Sequence, residues 1–158
     1  MPQIAKGGKF IFGWSVINPE GCVRIPKMTF QEYDLSAHNA AILSSGSKKS
    51  GGFCVSNYTL MNGSIMRGLF LEHPEIEEYS IGDGECIKYK GRLYCWTKIH
   101  PEGILKLPVH TMKTFGVQPA DRLLSIRGSN IAFVFAVRGP IIEAAKNFKG
   151  VIEEYRCG

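Results

Sequence analysis

The amino-acid sequence predicts a mostly β protein with short helices, organised as two tandem copies of one unit. Residues 18–26, NPEGCVRIP, are nearly repeated at 100–108 as HPEGILKLP. Sliding the chain by 82 positions aligns residues 11–55 with 93–137 without a gap and matches eleven identical pairs. Each copy also divides into short apolar runs bounded by Gly, Pro and Asn, a pattern typical of strands and turns.

In the first copy, residues 10–17 predict a strand with Phe10, Phe12, Trp14 and Val16 on one face. Asn-Pro-Glu-Gly at 18–21 is typical of a type I turn. The remaining elements then follow in order. They are a strand at 22–25 ending at Pro26, a helix of about two turns at 27–35, strands at 40–45 and 52–56, and a single helix at 59–71.

The second copy repeats this order and contains the clearest β-hairpin. Residues 123–127 alternate between polar and apolar side chains, turn at 127–130 and return as 131–137. Residues 141–148 predict a closing helix equivalent to 59–71. The tetrapeptide IEEY occurs at 76–79 and again at 152–155. We therefore expect one repeat with a helical tail over residues 1–82 and a second over 83–158.

Composition limits the classes of function. The chain has 158 residues, 44% hydrophobic and 21% charged, which is typical of a soluble globular protein. Since no apolar run approaches membrane-spanning length and the N-terminus lacks a signal-peptide core, we expect a cytoplasmic protein that does not bind membranes. The whole net charge of +5 arises after residue 80, where twelve Lys/Arg face seven Asp/Glu, and it favours an anionic partner such as nucleic acid.

Catalysis, a metal site and a cofactor are not expected. The five cysteines form no C-x-x-C pair, and the four histidines lack metal-ligand spacing. Glu20 and Glu102 recur at turn positions where exposed polar residues are ordinary, and no nucleophile-and-base arrangement is evident. The recurring Trp14 and Trp96 predict a paired core, with a base-stacking platform as the alternative.

Two motifs of the second copy resemble the SpoVT/AbrB family. They are GILKLP at 103–108 and FGVQPAD at 115–121, followed by Leu123-Leu124. The family pattern is Gly-x-apolar-x-apolar-Pro, a short helix, Leu-Gly-Ile, Gly-Asp and a hairpin. Ala120 stands where the family has Gly, and Asn39 stands where it has Asp in the first copy. The resemblance implies a swapped-hairpin β-barrel in which the two copies form one pseudo-twofold unit, and it makes a homodimer plausible.

The resemblance also implies a transcriptional regulator that contacts duplex DNA through paired basic residues of the two repeats. Arg24 and Lys106 are the leading pair because a cation recurs there, although both fit a plain solvated strand face as well. The residue after the turn glycine, often Arg in such regulators, is Cys22 or Ile104 here. The predicted DNA-contacting residues are Lys6, Lys9, Arg24, Lys27, Lys88, Lys90, Arg92, Lys98 and Lys106.

Two other functions remain open from the sequence. The Ser/Gly/Lys-rich stretch 44–52 lacks the Walker spacing but can present backbone N–H groups and two cations to an anion. Its candidate residues, Ser47, Lys48, Lys49 and Ser50, suit a small-molecule or nucleotide-sensing barrel that does not bind DNA. The helices predicted at 59–71 and 141–148 suit an interaction scaffold.

Overall fold

The structure is a computed structural model that describes residues 10–37 and 39–157. This part of the chain contains ten strands and six short α-helices, so the mostly β prediction is confirmed. The strands are β1 (Ile11–Val16), β2 (Cys22–Arg24), β3 (Ala40–Ser45), β4 (Phe53–Ser56), β5 (Ile87–Tyr89), β6 (Arg92–His100), β7 (Ile104–Lys106), β8 (Arg122–Arg127), β9 (Phe133–Ala136) and β10 (Glu154–Tyr155). The helices are α1 (Lys27–Glu32), α2 (Tyr58–Asn62), α3 (Arg67–Glu72), α4 (Pro74–Glu77), α5 (Val109–Phe115) and α6 (Pro140–Lys146).

The strands form one sheet that curls into a nearly closed β-barrel. Their order is β10-β1-β8-β9-β4-β3-β6-β7-β2, with β5 paired to the free edge of β6. β2 follows β1 in the chain and returns beside it, where the Ser15 hydroxyl donates a hydrogen bond of 2.6 Å to the Arg24 carbonyl oxygen. The end strand β2 therefore lies against β1, beside the other end strand β10, and the barrel nearly closes there.

The register of the sheet repeats at the same offset as the sequence. Trp14 pairs with Leu124 between β1 and β8, and Ile42 pairs with Trp96 between β3 and β6, which is the same pair displaced by 82 positions. At β4 and β9 the equivalent residues Phe53 and Phe135 pair with each other. The strand pairs β4·β9 and β2·β7 therefore lie where the two halves of the sheet meet.

Three apolar clusters stabilise this arrangement. The barrel interior is filled by the largest one, which includes the fully buried Phe53, Phe133 and Phe135. An outer cluster around Trp14 lies under α6, and a second outer cluster around Tyr94 lies under α2, α3 and α4. The helices thus cover two separate areas of the outer barrel surface.

A β-bulge places the side chains of the first strand differently from the prediction, which had Phe12 and Trp14 on one face. The pairing of β1 with β8 shifts between Ile11 and Gly13, so Phe12 points into the barrel interior while Trp14 points outward under α6. Trp14 and Trp96 belong to different outer clusters, so both are part of the apolar packing as predicted but do not pair with each other. Trp14 is buried, and the half-buried Trp96 packs against Tyr79 and donates its indole N–H to the Ile81 carbonyl oxygen at 2.7 Å. This packing speaks against a base-stacking platform.

The first helical tail differs from its prediction, whereas α6 matches the closing helix predicted at 141–148. The single helix expected at 59–71 is broken at Gly63, where α2 ends, and the Ser64 hydroxyl bonds back to the Met61 carbonyl oxygen at 2.7 Å. The two copies of IEEY adopt different structures. The first supplies the last two residues of α4, whereas the second contributes β10, which runs parallel to β1. Gly13 permits that approach, because a Cβ atom there would lie 2.9 Å from the Glu153 carbonyl oxygen.

The turns that open each copy are not equivalent. The first is the expected one, with the Gly21 N–H bonded to the Asn18 carbonyl oxygen at 3.0 Å. The second is a 3-10 turn, Pro101–Gly103, in which Glu102 has a φ of 67°. Ala120, which replaces the family glycine, has a φ of 76°, a left-handed conformation that a glycine would adopt without strain.

Candidate anion-binding surface

The Ser/Gly/Lys stretch forms an ordered hairpin loop between β3 and β4. The Gly46 N–H donates to the Gly52 carbonyl oxygen at 3.1 Å, and the Gly51 N–H donates to the Ser47 carbonyl oxygen at 2.8 Å. The Ser47 hydroxyl accepts a further bond from the Ser50 N–H at 3.2 Å. These bonds use much of the hydrogen-bonding capacity of the loop backbone. The exposed side chains of Lys48 and Lys49 remain available to contact an anion.

Arg138 holds this loop against the end of β9. Its Nε and Nη2 groups donate to the Lys48 carbonyl oxygen at 3.1 and 2.9 Å. Its own N–H and that of Val137 both donate to the Ser50 carbonyl oxygen. Sequence reasoning missed Arg138, because its equivalent in the first copy is Ser56 and no recurring cation pointed to it.

A tight hairpin brings further cations to the same place. β5 and β6 are joined by Lys90 and Gly91, both with positive φ, which is the geometry of a two-residue turn. The Leu93 N–H donates to the Ser45 hydroxyl at 3.2 Å, and this bond sets the hairpin beside the loop. Arg92 therefore lies beside the predicted anion loop and lines one groove with it, and Lys88 and Lys90 belong to the same hairpin.

We call this surface the cationic rim and define it by six side chains from three segments. Within the described residues, none of the six forms an ion pair with a carboxylate. By contrast, Arg24, Arg122, Arg127 and Arg156 each pair with a glutamate. Clustered cations without counter-charges produce a positive potential that attracts anions. The rim consists of Lys48, Lys49, Lys88, Lys90, Arg92 and Arg138.

A groove opens on the outer barrel surface directly below the rim. It encloses about 440 Å³ and is lined by Lys49, Arg92 and Arg138 at one side and by Ile126, Val134 and Ile141 along its floor. Ser47, Ser50, Cys54, Gly139 and Pro140 complete the lining. A volume of this size is within the range of small-molecule sites.

Four other predicted cations form a second surface, which we call the ribbon: Arg24 and Lys106 lie on the paired strands β2 and β7, Lys27 begins α1, and Lys98 lies on β6. Cys22 pairs with Lys106 and Arg24 pairs with Ile104, so both basic side chains are on the outer face while Val23 and Leu105 are buried. Both side chains therefore lie outside the apolar interior, as either reading of the sequence requires. Lys27 and Lys98 are exposed nearby.

Arg24 and Lys106 have different environments despite their equivalent positions. The Arg24 Nε donates to the Arg156 carbonyl oxygen at 2.9 Å, and its Nη2 lies 3.3 Å from a Glu102 carboxylate oxygen. The C-terminal segment that carries Arg156 therefore occupies the Arg24 side of the ribbon. The Lys106 side chain is exposed and forms no hydrogen bond or ion pair with the described residues.

The predicted set of nine DNA-contacting residues does not form one surface. Arg92 and Lys98 lie six residues apart on the same strand, a separation of roughly 20 Å at about 3.3 Å per residue. Lys88, Lys90 and Arg92 belong to the rim, whereas Arg24, Lys27, Lys98 and Lys106 belong to the ribbon. Lys6 and Lys9 lie outside the described residues.

The described residues offer no other strong chemical site. Among residues 10–37 and 39–157, no group of three or more His, Cys, Asp or Glu side chains is placed to hold a metal ion. In the same part of the chain, no helix has both the length and the apolar character needed to cross a bilayer. Comparison of the chain with protein-family models, curated proteins and solved structures gave no match.

Proposed function

We propose that this protein is a duplicated barrel of the SpoVT/AbrB type that binds duplex DNA as a transcriptional regulator, and that it does so through the cationic rim. The observation that carries the proposal is that three adjoining segments carry six cations, none paired with an acid of the described chain. Phosphate contacts from Lys and Arg supply most of the affinity of such complexes.

The strand register supports the swapped-hairpin part of the proposal. The first strand of each copy pairs with the hairpin of the other copy, as β1 does with β8 and β6 does with β3. A unit paired in this way cannot close its own barrel, which explains why both copies are needed in one chain. The resemblance then favours a regulator over an unrelated use of a barrel, although fold alone does not determine function.

The rim is a better phosphate-binding surface than the ribbon. To contact a phosphate, Arg24 would have to leave its bonds with Glu102 and the Arg156 carbonyl oxygen, which offsets part of the gain. The rim lysines have no competing carboxylate, so their charge is available to a polyanion. The ribbon then contributes, at most, its exposed lysines.

Duplex titration of the wild-type protein at several salt concentrations tests this function. Fluorescence anisotropy with a random-sequence duplex and with genomic fragments is expected to show binding that weakens steeply with salt. For four to six phosphate contacts, the slope of log K against log salt is about −4 to −5. Binding is also expected to differ among fragments, as regulation requires. Since phosphate contacts are strongest at low salt, absence of duplex binding at about 50 mM salt would reject the proposal.

A further inference from the structure

The groove beneath the rim exists because the two helical tails leave a strip of the barrel uncovered. α6 packs on the outer cluster around Trp14, and α2 to α4 pack on the cluster around Tyr94. Between these clusters lies the pair Cys54 and Val134 of β4 and β9, and both residues are only half-buried. An apolar strip in this position is open to a ligand.

One end of the groove is cationic and its floor is apolar. Arg138 uses Nε and Nη2 to hold the loop, which leaves its Nη1 group without a hydrogen bond among the described residues. The Arg92 side chain has neither an ion pair nor a hydrogen bond among the described residues, and Lys49 adds an ammonium group. Since a guanidinium plane matches the geometry of a carboxylate or phosphate, this end suits an oxyanion.

A second hollow of about 250 Å³ shares Cys54, Arg92 and Val134 with the groove and continues it toward Met61 and Met66. The open space is therefore elongated, with the cations near one end and flexible methionine side chains near the other. Methionine adapts readily to apolar ligands of different shape. The shape and the charge distribution of this space are therefore complementary to an elongated apolar molecule with one negatively charged end.

We propose that this groove binds a small amphipathic anion, with its oxyanion head at Arg92, Arg138 and Lys49 and its apolar body along Val134. The head is a carboxylate or a phosphate, and the body is aliphatic. A nucleotide fits less well, because the floor residues Ile126 and Ile141 offer no hydrogen bonds to the edge of a base. The apolar floor distinguishes this site from a surface that only attracts phosphate.

Calorimetric titration of the wild-type protein tests the site without DNA. The probes are octanoate and octyl phosphate, with acetate as the head alone and octan-1-ol as the neutral body. Each buried methylene is worth roughly a factor of four in affinity, so burying three makes octanoate at least about 50-fold tighter than acetate. Tight binding of either charged octyl compound supports the proposal. Equal affinities for octanoate and acetate, or for octanoate and octan-1-ol, would overturn it.

A matched pair of variants locates the head group. Arg92→Met keeps an apolar stem and removes the guanidinium, and it is expected to weaken octanoate binding at least tenfold. Lys106→Met makes a similar exchange on the ribbon and is expected to leave the affinity unchanged. Methyl NMR of the wild-type protein locates the body without any substitution. The signals of Ile126, Val134 and Ile141 should move on adding octanoate, while those of the buried Val23 and Leu43 should not, and the reverse pattern would refute the site.

The ligand and duplex DNA are expected to compete, because the head group occupies three of the six rim cations. This coupling rests on the proposed function, whereas binding of octanoate does not. Saturating octanoate should weaken duplex binding of the wild-type protein at least threefold. Acetate at the same concentration should leave duplex binding unchanged. If calorimetry detects octanoate binding but anisotropy detects no duplex binding, only the proposed function is contradicted. Duplex binding with no heat from octanoate would contradict the groove alone.

Discussion

Replacing Lys48, Lys88 and Lys90 together with alanine is expected to weaken duplex binding by up to roughly 500-fold at about 0.1 M salt. Each lost phosphate contact removes about 0.9 from the slope of log K against log salt, so three contacts remove about 2.7. These lysines are exposed, and none lines the groove. Stability should therefore change little, which thermal unfolding of the variant checks alongside the anisotropy titration.

The matched control for this variant loses the same three charges on the ribbon. Replacing Lys27, Lys98 and Lys106 with alanine lowers the net charge equally but leaves the rim intact. We expect less than about a threefold loss of affinity, since only long-range attraction is reduced. Equal losses in the two triple variants would indicate that net charge, and not the rim, determines binding. A larger loss in the ribbon variant would restore the Arg24 and Lys106 assignment made from sequence.

Gly52→Ala is expected to cause the largest loss of stability of any single methyl addition discussed here, roughly 3 kcal/mol or more. Gly52 has a φ of 63°, a conformation that costs a residue with a Cβ atom about 1–2 kcal/mol. In addition, the new Cβ atom would overlap the Phe135 carbonyl oxygen, which is backbone and cannot rotate away. The loop and β9 must separate, so urea denaturation should show a clear fall in the free energy of unfolding.

Gly116→Ala separates these two causes. Gly116 ends α5 with a φ of 69°, and a Cβ atom there would have open space around it. This variant is expected to lose only the conformational part, about 1 kcal/mol. If Gly52→Ala costs no more than Gly116→Ala, the close packing of the loop on β9 is wrong. Because that packing shapes the rim, Gly52→Ala should also weaken duplex binding whereas Gly116→Ala should not.

The sequence predicted the positions of the strands better than it predicted which side chains share a surface. The repeat predicted which segments are equivalent, since turn, proline and aromatic positions recur at a fixed offset. It could not predict that IEEY becomes a helix in one copy and a strand in the other, because tertiary pairing with β1 decides the second. Likewise, an inserted residue between Ile11 and Gly13 exchanges the inner and outer faces of β1, and side-chain periodicity alone gives no sign of a bulge.

The candidate site shows the same limit. Five of the six rim cations were predicted, but they were divided between a DNA-contacting set and an anion loop. The bond from Leu93 to Ser45 that joins these segments connects residues 48 positions apart. Arg138 could not be found from recurrence, because only the second copy has a cation at that position. The sequence also could not predict that Arg24 bonds to Glu102 and to the Arg156 carbonyl oxygen, since that depends on the path of the C-terminal segment.

Lysine footprinting of the wild-type protein, with and without duplex DNA, tests the central claim most directly. Brief acetylation followed by mass spectrometry reports which ammonium groups the duplex covers. We predict strong protection of Lys48, Lys88 and Lys90 and little change at Lys98 and Lys106, all measured in the same sample. Protection of the ribbon lysines with the rim lysines still reactive would contradict the account.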